Sequence, residues 1–126
     1  MEPPRHSSPD RLTLGLAAEE RAARHLAGQG LDILLRNWRC RMGELDLVAR
    51  DGDVLVIAEV RLRHGAGFGN AAASITSAKR RRIIRATRHL LMRRPEFTRL
   101  RIRFDVVTLD GADETIEWIR AAFDAC

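Results

Sequence analysis

Asp46 and Glu59 are the residues whose types and spacing point most directly to chemistry. They stand near opposite ends of the segment Glu44-Leu-Asp-Leu-Val-Ala-Arg-Asp-Gly-Asp-Val-Leu-Val-Ile-Ala-Glu-Val-Arg61, in which two alternating runs flank Asp51-Gly52. An Asp-Gly pair between alternating runs predicts a β-hairpin. An even loop centred there pairs Ala49 with Val54, and so Asp46 with Ile57 and Glu44 with Glu59. Side chains two apart share a strand face. Glu44, Asp46, Glu59, Arg61 and Arg63 are therefore expected on one face, with Leu45, Leu47, Val56, Ala58, Val60 and Leu62 on the other. Asp46 and Glu59 become diagonal neighbours, roughly 7–8 Å apart. Two carboxylates converging in this way suit a hard cation such as Mg²⁺, which takes one or two protein carboxylates and keeps several waters.

Phosphodiester cleavage is the chemistry such a cradle would support. It requires an in-line nucleophile, neutralisation of charge at the transferring phosphorus and help for the leaving oxygen, and Mg²⁺ or Mn²⁺ held by carboxylates serves these needs. Arg61 lies beside the cradle, where a cation would orient the water or stabilise developing charge. Glu19 falls within an apolar helical stripe, and an inward-facing charge requires a partner or a metal. Either an outer metal ligand or a buried salt bridge to arginine satisfies that requirement.

Several elements must position these groups. Leu12 to Gln29 reads as a helix with a stripe of Leu12, Leu16, Ala22, Ala23 and Leu26, ended by Gly28 and Gly30. Leu31 to Arg36 reads as a short strand, followed by an arginine-rich link containing Arg36, Trp38, Arg39 and Arg41. After the hairpin, His64-Gly-Ala-Gly-Phe-Gly69 lacks the spacing of a phosphate-binding loop and reads as a mobile connector. Ile75 to Arg94 forms a second helix capped by Thr76 or Ser77, burying Ile83, Ile84, Thr87, Leu90 and Leu91. Arg81, Arg82, Arg85 and Arg88 lie on its far side, Lys79 stands at the stripe's margin, and Pro95 ends the helix. Leu100 to Leu109 alternates as a strand with Arg103 and Asp105 on one face. Asp110-Gly111 is a turn, and periodicity leaves Thr115 to Phe123 as either strand or helix. The α-β-β-β-α-β order predicts one small α/β domain, a mixed sheet flanked by two helices.

The 126 residues suffice for a single core, here 11–126 behind a polar, proline-rich leader, 1–10, expected to be disordered. No apolar run approaches the roughly 20 residues needed to span a bilayer, and no signal peptide is visible, so no membrane partner is expected and the cytoplasm is the default compartment. A net charge of +5 favours an anionic partner, DNA foremost. Lys79 is the only lysine. His6, His25, His64 and His89 lack ligand spacing, and Cys40 and Cys126 form neither a zinc motif nor a disulfide framework.

Gly43-Glu-Leu-Asp46, Ala58-Glu-Val-Arg61-Leu-Arg63, Ile75-Thr-Ser-Ala-Lys79-Arg-Arg-Arg-Ile and Arg103-Phe-Asp105-Val-Val together resemble the YraN-type (UPF0102) family of small bacterial proteins. Glu19-Glu-Arg-Ala-Ala-Arg-His-Leu26 and Arg36-Asn-Trp-Arg39 fit its N-terminal part, and the likeness runs from about Gly15 to Phe123. That family is similar to the restriction-endonuclease-like fold, closest in style to archaeal Holliday-junction resolvases. The resemblance implies an Asp followed by Glu-x-Lys, with a helical Glu in front, as metal and catalytic signature. Onto this sequence these fall at Asp46, Glu59 and Glu19, and the departure is Arg61, where lysine is expected. Arginine stays protonated and cannot act as a general base, though it still neutralises phosphate. Lys79 on the following helix is a candidate substitute.

The resemblance thus implies a Mg²⁺- or Mn²⁺-dependent endonuclease acting on DNA, with branched DNA among its candidate substrates. Asp46, Glu59 and Glu19 would act at the metal, and Arg61 and Lys79 beside it. Arg39, Arg41, Arg63, Arg81, Arg82 and Arg85 would meet the DNA backbone. By analogy with junction-cleaving relatives of the fold, a homodimer is expected. Two alternatives follow from Arg61: a DNA-binding protein that does not cleave, and a protein-interaction module on a nuclease scaffold.

Overall fold

A computed structural model describes residues 11–63, 75–110 and 115–125. Helix α1 (Arg11–Gly28) leads into strands β1 (Asp32–Cys40), β2 (Gly43–Asp51) and β3 (Val54–Arg63). Helix α2 (Ser77–Arg93), a short 3₁₀ turn (Pro95–Arg99), β4 (Arg101–Asp110) and β5 (Ile116–Phe123) follow. The five strands form one sheet in chain order, with β3 and β4 parallel and the other neighbours antiparallel. A parallel pair requires a long crossover, and α2 lies within the one joining β3 to β4. This is the mixed, helix-flanked α/β sheet the sequence predicts.

The helices cover opposite faces. Ala18, Ala22, Ala23 and Leu26 of α1 pack with Leu47, Ala49, Val56, Ala58, Val107 and Leu109. The run of alanines lets the helix axis come close to the sheet. Leu16, expected on that stripe, is 49% exposed instead. On the other face, Ile83, Ala86 and Leu90 of α2 pack with Leu45, Leu55, Ile57, Phe104, Val106 and Phe123. Helix α2 begins at Ser77 because Thr76 is extended (φ −63°, ψ 158°) and its Oγ1 accepts from the Lys79 N–H at 3.1 Å. Pro95 follows the cap residue Arg94 and opens the 3₁₀ turn. Among the described residues no helix is long and apolar enough to cross a membrane.

Three local expectations are corrected and one open choice is resolved. The arginine-rich link is strand: β1 continues to Cys40, carried past a register shift between Ile33 and Leu35 and a left-handed Asn37 (φ 50°). In the hairpin, Ala49 pairs with Val56 rather than Val54, because only Gly52 (φ 60°) and Asp53 form the turn. That is a slip of two, which preserves the pleat parity. Leu45 and Leu47 do not share a face: Leu45 joins the cluster under α2 and Leu47 the cluster under α1. The alternation of β2 thus breaks at Asp46. Finally, the C-terminal element is a strand whose pairing with β4 shifts between Phe104 and Val106, with Ala121 left-handed (φ 52°). Trp118 falls on one face and Ile119 and Phe123 on the other, and two extra residues bulge out between Ile119 and Phe123. The leader (1–10), the glycine-rich segment (64–69), Gly111 and Cys126 lie outside the described residues.

Candidate active site

The break at Asp46 coincides with a fork in the sheet. The β2–β3 ladder ends at Leu47–Ala58, yet β2 stays paired with β1 as far as Gly43 and β3 with β4 as far as Arg63. Side chains replace ladder bonds where the strands part. Val60 N–H donates to Asp46 Oδ2 at 2.9 Å, and Asp46 N–H donates to Glu59 Oε2 at 3.5 Å. Both acids are therefore held by backbone, each by the strand opposite its own.

Two carboxylates gather on one side of Asp46: ligand oxygens of Glu19, Glu44 and Asp46 all lie within 4.8 Å of one another. Glu19 arrives from α1. Its expected alternative, a salt bridge to arginine, is taken by its neighbour: Glu20 binds Arg36 of β1, and Arg24 at 3.1 Å. Glu19 Oε1 is instead buried with no hydrogen-bond partner. Burial foremost, and the nearby Asp46 and Glu44 charges, raise the Glu19 pKa against an opposing pull from the Asn37 side chain.

On the other side lies Glu59, only 1% exposed. Burial first, and the Asp46 charge second, push its carboxyl up to about 8, against a smaller opposing pull from Lys79. Lys79 Nζ reaches Glu59 Oε1 at 3.5 Å from the first turn of α2. Glu44, Asp46, Glu59 and Lys79 border a cavity of about 270 Å³ that also meets Gly43, Arg82 and Ile83. Gly43 (φ 154°) allows α2 this close, since a Cβ there would lie 3.4 Å from the Arg82 carbonyl oxygen.

Asp105 provides a contrast. It too is buried, but Arg103 grips it with two hydrogen bonds of 2.9 Å, and Trp118 Nε1 and Ala121 N–H each donate at 2.9 Å. Its charge is matched, and it ties β5 to β4 at the bulge. The Glu19–Glu44–Asp46–Glu59 group brings four carboxylates against Lys79 on Glu59 and the largely exposed Arg39 on Glu44, an excess that a divalent cation would offset. The orphaned Glu19 Oε1 and the all-oxygen donor set fit Mg²⁺ or Mn²⁺.

Of the residues singled out from the sequence, Glu19, Asp46, Glu59 and Lys79 are thus brought to one locality. Arg61 follows Glu59 by two along β3 and is half-buried, outside the cavity lining. Arg82 lines the cavity, whereas Arg81 and Arg85 line a separate cleft between α2 and the end of β5. Arg39 pairs with Glu44 at 3.5 Å, Arg41 is exposed between β1 and β2, and the Arg63 side chain lies outside the described residues. Glu44 and Asn37 were not singled out as site residues. Glu44-x-Asp46 spacing was the available signal for the first, and only the left-handed turn of Asn37 brings the second to Glu19.

Residues 18–109 match the profile described as "Uncharacterised protein family UPF0102". A "UPF0102 protein" of Alkalilimnicola ehrlichii is 52% identical over 114 residues, covering 90% of this chain and 89% of its own. One of Dechloromonas aromatica is 51% identical over 111 residues, 88% of each chain. One of Legionella pneumophila subsp. pneumophila is 42% identical over 111 residues, 88% of this chain and 94% of its own. Identity at this level across nearly the whole length, together with the profile match, shows that the chain belongs to the UPF0102 family.

Proposed function

We propose that this protein is a divalent-metal-dependent endonuclease of restriction-endonuclease-like type, acting on DNA phosphodiesters. The observation that carries this reading is the convergence on Asp46, at the fork, of Glu19 and Glu44 on one side and Glu59 on the other, with one buried carboxylate oxygen left without a partner. Asp46 and Glu59 would hold Mg²⁺ or Mn²⁺, with Glu19 and Glu44 beside them. Bound there, the ion would supply charge neutralisation at the phosphoryl group and a water of lowered pKa.

The chain's own groups account for the remainder. The Val60 N–H fixes Asp46 Oδ2, so this carboxylate is oriented before any ligand arrives. Glu59 carries a proton near neutrality in the absence of a cation, so loading the site releases that proton. Lys79 offers the compact, titratable ammonium that Arg61 cannot, from the helix rather than the strand. Arg82 borders the same cavity and would hold a phosphate oxygen.

Cleavage of four-way, forked and duplex DNA in Mg²⁺ or Mn²⁺ tests the reading. We expect metal-dependent products from the natural chain, at least about 100-fold fewer from Asp46→Asn, and more from Arg61→Lys. Absence of product from both the natural chain and Arg61→Lys would remove the nuclease reading. A second reading, DNA binding without cleavage, is favoured by Arg61 itself, and retained affinity with no product in Mn²⁺ would select it. Absence of all DNA affinity at low salt would leave an interaction module on this scaffold.

A further inference from the structure

A second cavity, of about 670 Å³, lies on the flank of α2 away from the acidic fork, between that helix and the end of β5. Arg81, Arg85 and Arg88 line it with i, i+4, i+7 spacing, and all three are exposed. Among the described residues no carboxylate comes within ion-pair distance of any of them; Asp124 borders the cleft without bridging. Arg80 contributes differently: its Nε donates to the Ile75 carbonyl at 3.0 Å and its guanidinium lies 5.4 Å from the Phe123 ring centre. Arg80 and Phe123 thus form the wall, and the other three arginines form the open cationic rim.

A stripe of like charges on one helix face opposes folding through i,i+4 repulsion. No acidic residue in the first turn offsets it, and the positive end of the helix dipole adds to the field. The site therefore suits a ligand of repeated negative charge. Phe123 is buried against Phe104, with ring centres 5.0 Å apart. The cleft thus offers no free ring for base stacking, which argues against a single strand. From Arg82 at the acidic cavity to Arg88 is about 9 Å along the helix axis, a span of about three base pairs of duplex at about 3.4 Å each.

We infer that this cleft is a phosphate-binding track for duplex DNA, holding backbone phosphates next to the one presented to the acidic fork. It rests on the nucleic-acid reading above and assigns Arg81, Arg85 and Arg88 as its contacts. Arg81, Arg85 and Arg88 act as one continuous stripe.

The test is duplex binding by fluorescence anisotropy in EDTA, across salt, where no cleavage interferes. Each arginine that meets a phosphate contributes about 0.9 to the slope of log affinity against log salt. The Arg81→Gln/Arg85→Gln/Arg88→Gln protein is expected to lose about 2.7 of that slope. The corresponding triple lysine variant should retain it, and circular dichroism should show both folded. An unchanged slope in the folded glutamine variant, or absence of duplex affinity in the natural chain at low salt, overturns the inference. Metal-dependent cleavage with an unchanged slope would sink the track alone, and a reduced slope without any cleavage would sink the nuclease reading alone.

Discussion

Glu59 bears an electrostatic load that its surroundings only partly relieve. Asp46 faces it, Lys79 at 3.5 Å compensates in part, and its carboxyl is raised from 4.5 to about 8. Between those values the native state keeps a proton that the unfolded chain has released. The native state therefore binds more protons, and metal-free stability must fall as pH rises through that window. The contribution is fully present below pH 4.5 and gone above about 8. Thermal unfolding in EDTA at closely spaced pH should show this decline, and Glu59→Gln should flatten it; equal slopes in the two proteins would show that Glu59 does not titrate there. At this scale the sequence was informative about residue types but less so about partners. Asp46 and Glu59 were legible because a slip of two preserves which side of the pleat each occupies. Alternation also sets Glu44 on the side of Asp46, where its carboxylate lies, although it cannot register the crossing of β2 at Asp46. Lys79 was legible only as a residue on the helix margin, since its approach to Glu59 depends on how closely α2 lies over β2.

That approach is set by elements. Thr76 starts α2, and its Oγ1 bond to the Lys79 N–H fixes the turn from which Lys79 reaches Glu59. Thr76→Ala should cost about 1 kcal/mol in urea unfolding and should also tighten Mn²⁺ binding if the cap holds the amine on Glu59, because ammonium and cation compete for that carboxylate. A stability loss with unchanged metal affinity would separate the two roles. Gly43→Ala should be worse tolerated, because φ 154° suits glycine and the added methyl would press on the Arg82 carbonyl. Both α2 and the hairpin strands were legible from period and caps. Strand β1 was read short because Arg36, Asn37 and Arg39 are polar, although Arg36 is satisfied by Glu20 of α1. Strand β5 was ambiguous because its bulge spaces Ile116, Ile119 and Phe123 by three and four residues, imitating a helix.

Across the whole molecule, the two helices clamp one sheet, and Asp105 fastens its last strand. Four hydrogen bonds converge on that carboxylate from Arg103, Trp118 and Ala121. Removing one partner of a buried pair costs about 3–5 kcal/mol. Asp105→Ala should fall near the lower end, about 3 kcal/mol, because Arg103 is partly exposed and keeps Asp51 at 3.6 Å. Urea unfolding measures this, and a loss below about 1 kcal/mol would mean that the bulge holds without its anchor. The irregularities at Asn37 and Ala121 have a further result. They fall on β1 and β5, the two outermost strands, so each margin of the sheet is crooked where a neighbouring copy would have to zip onto it. Ribbon-like growth from molecule to molecule is thereby discouraged at both borders.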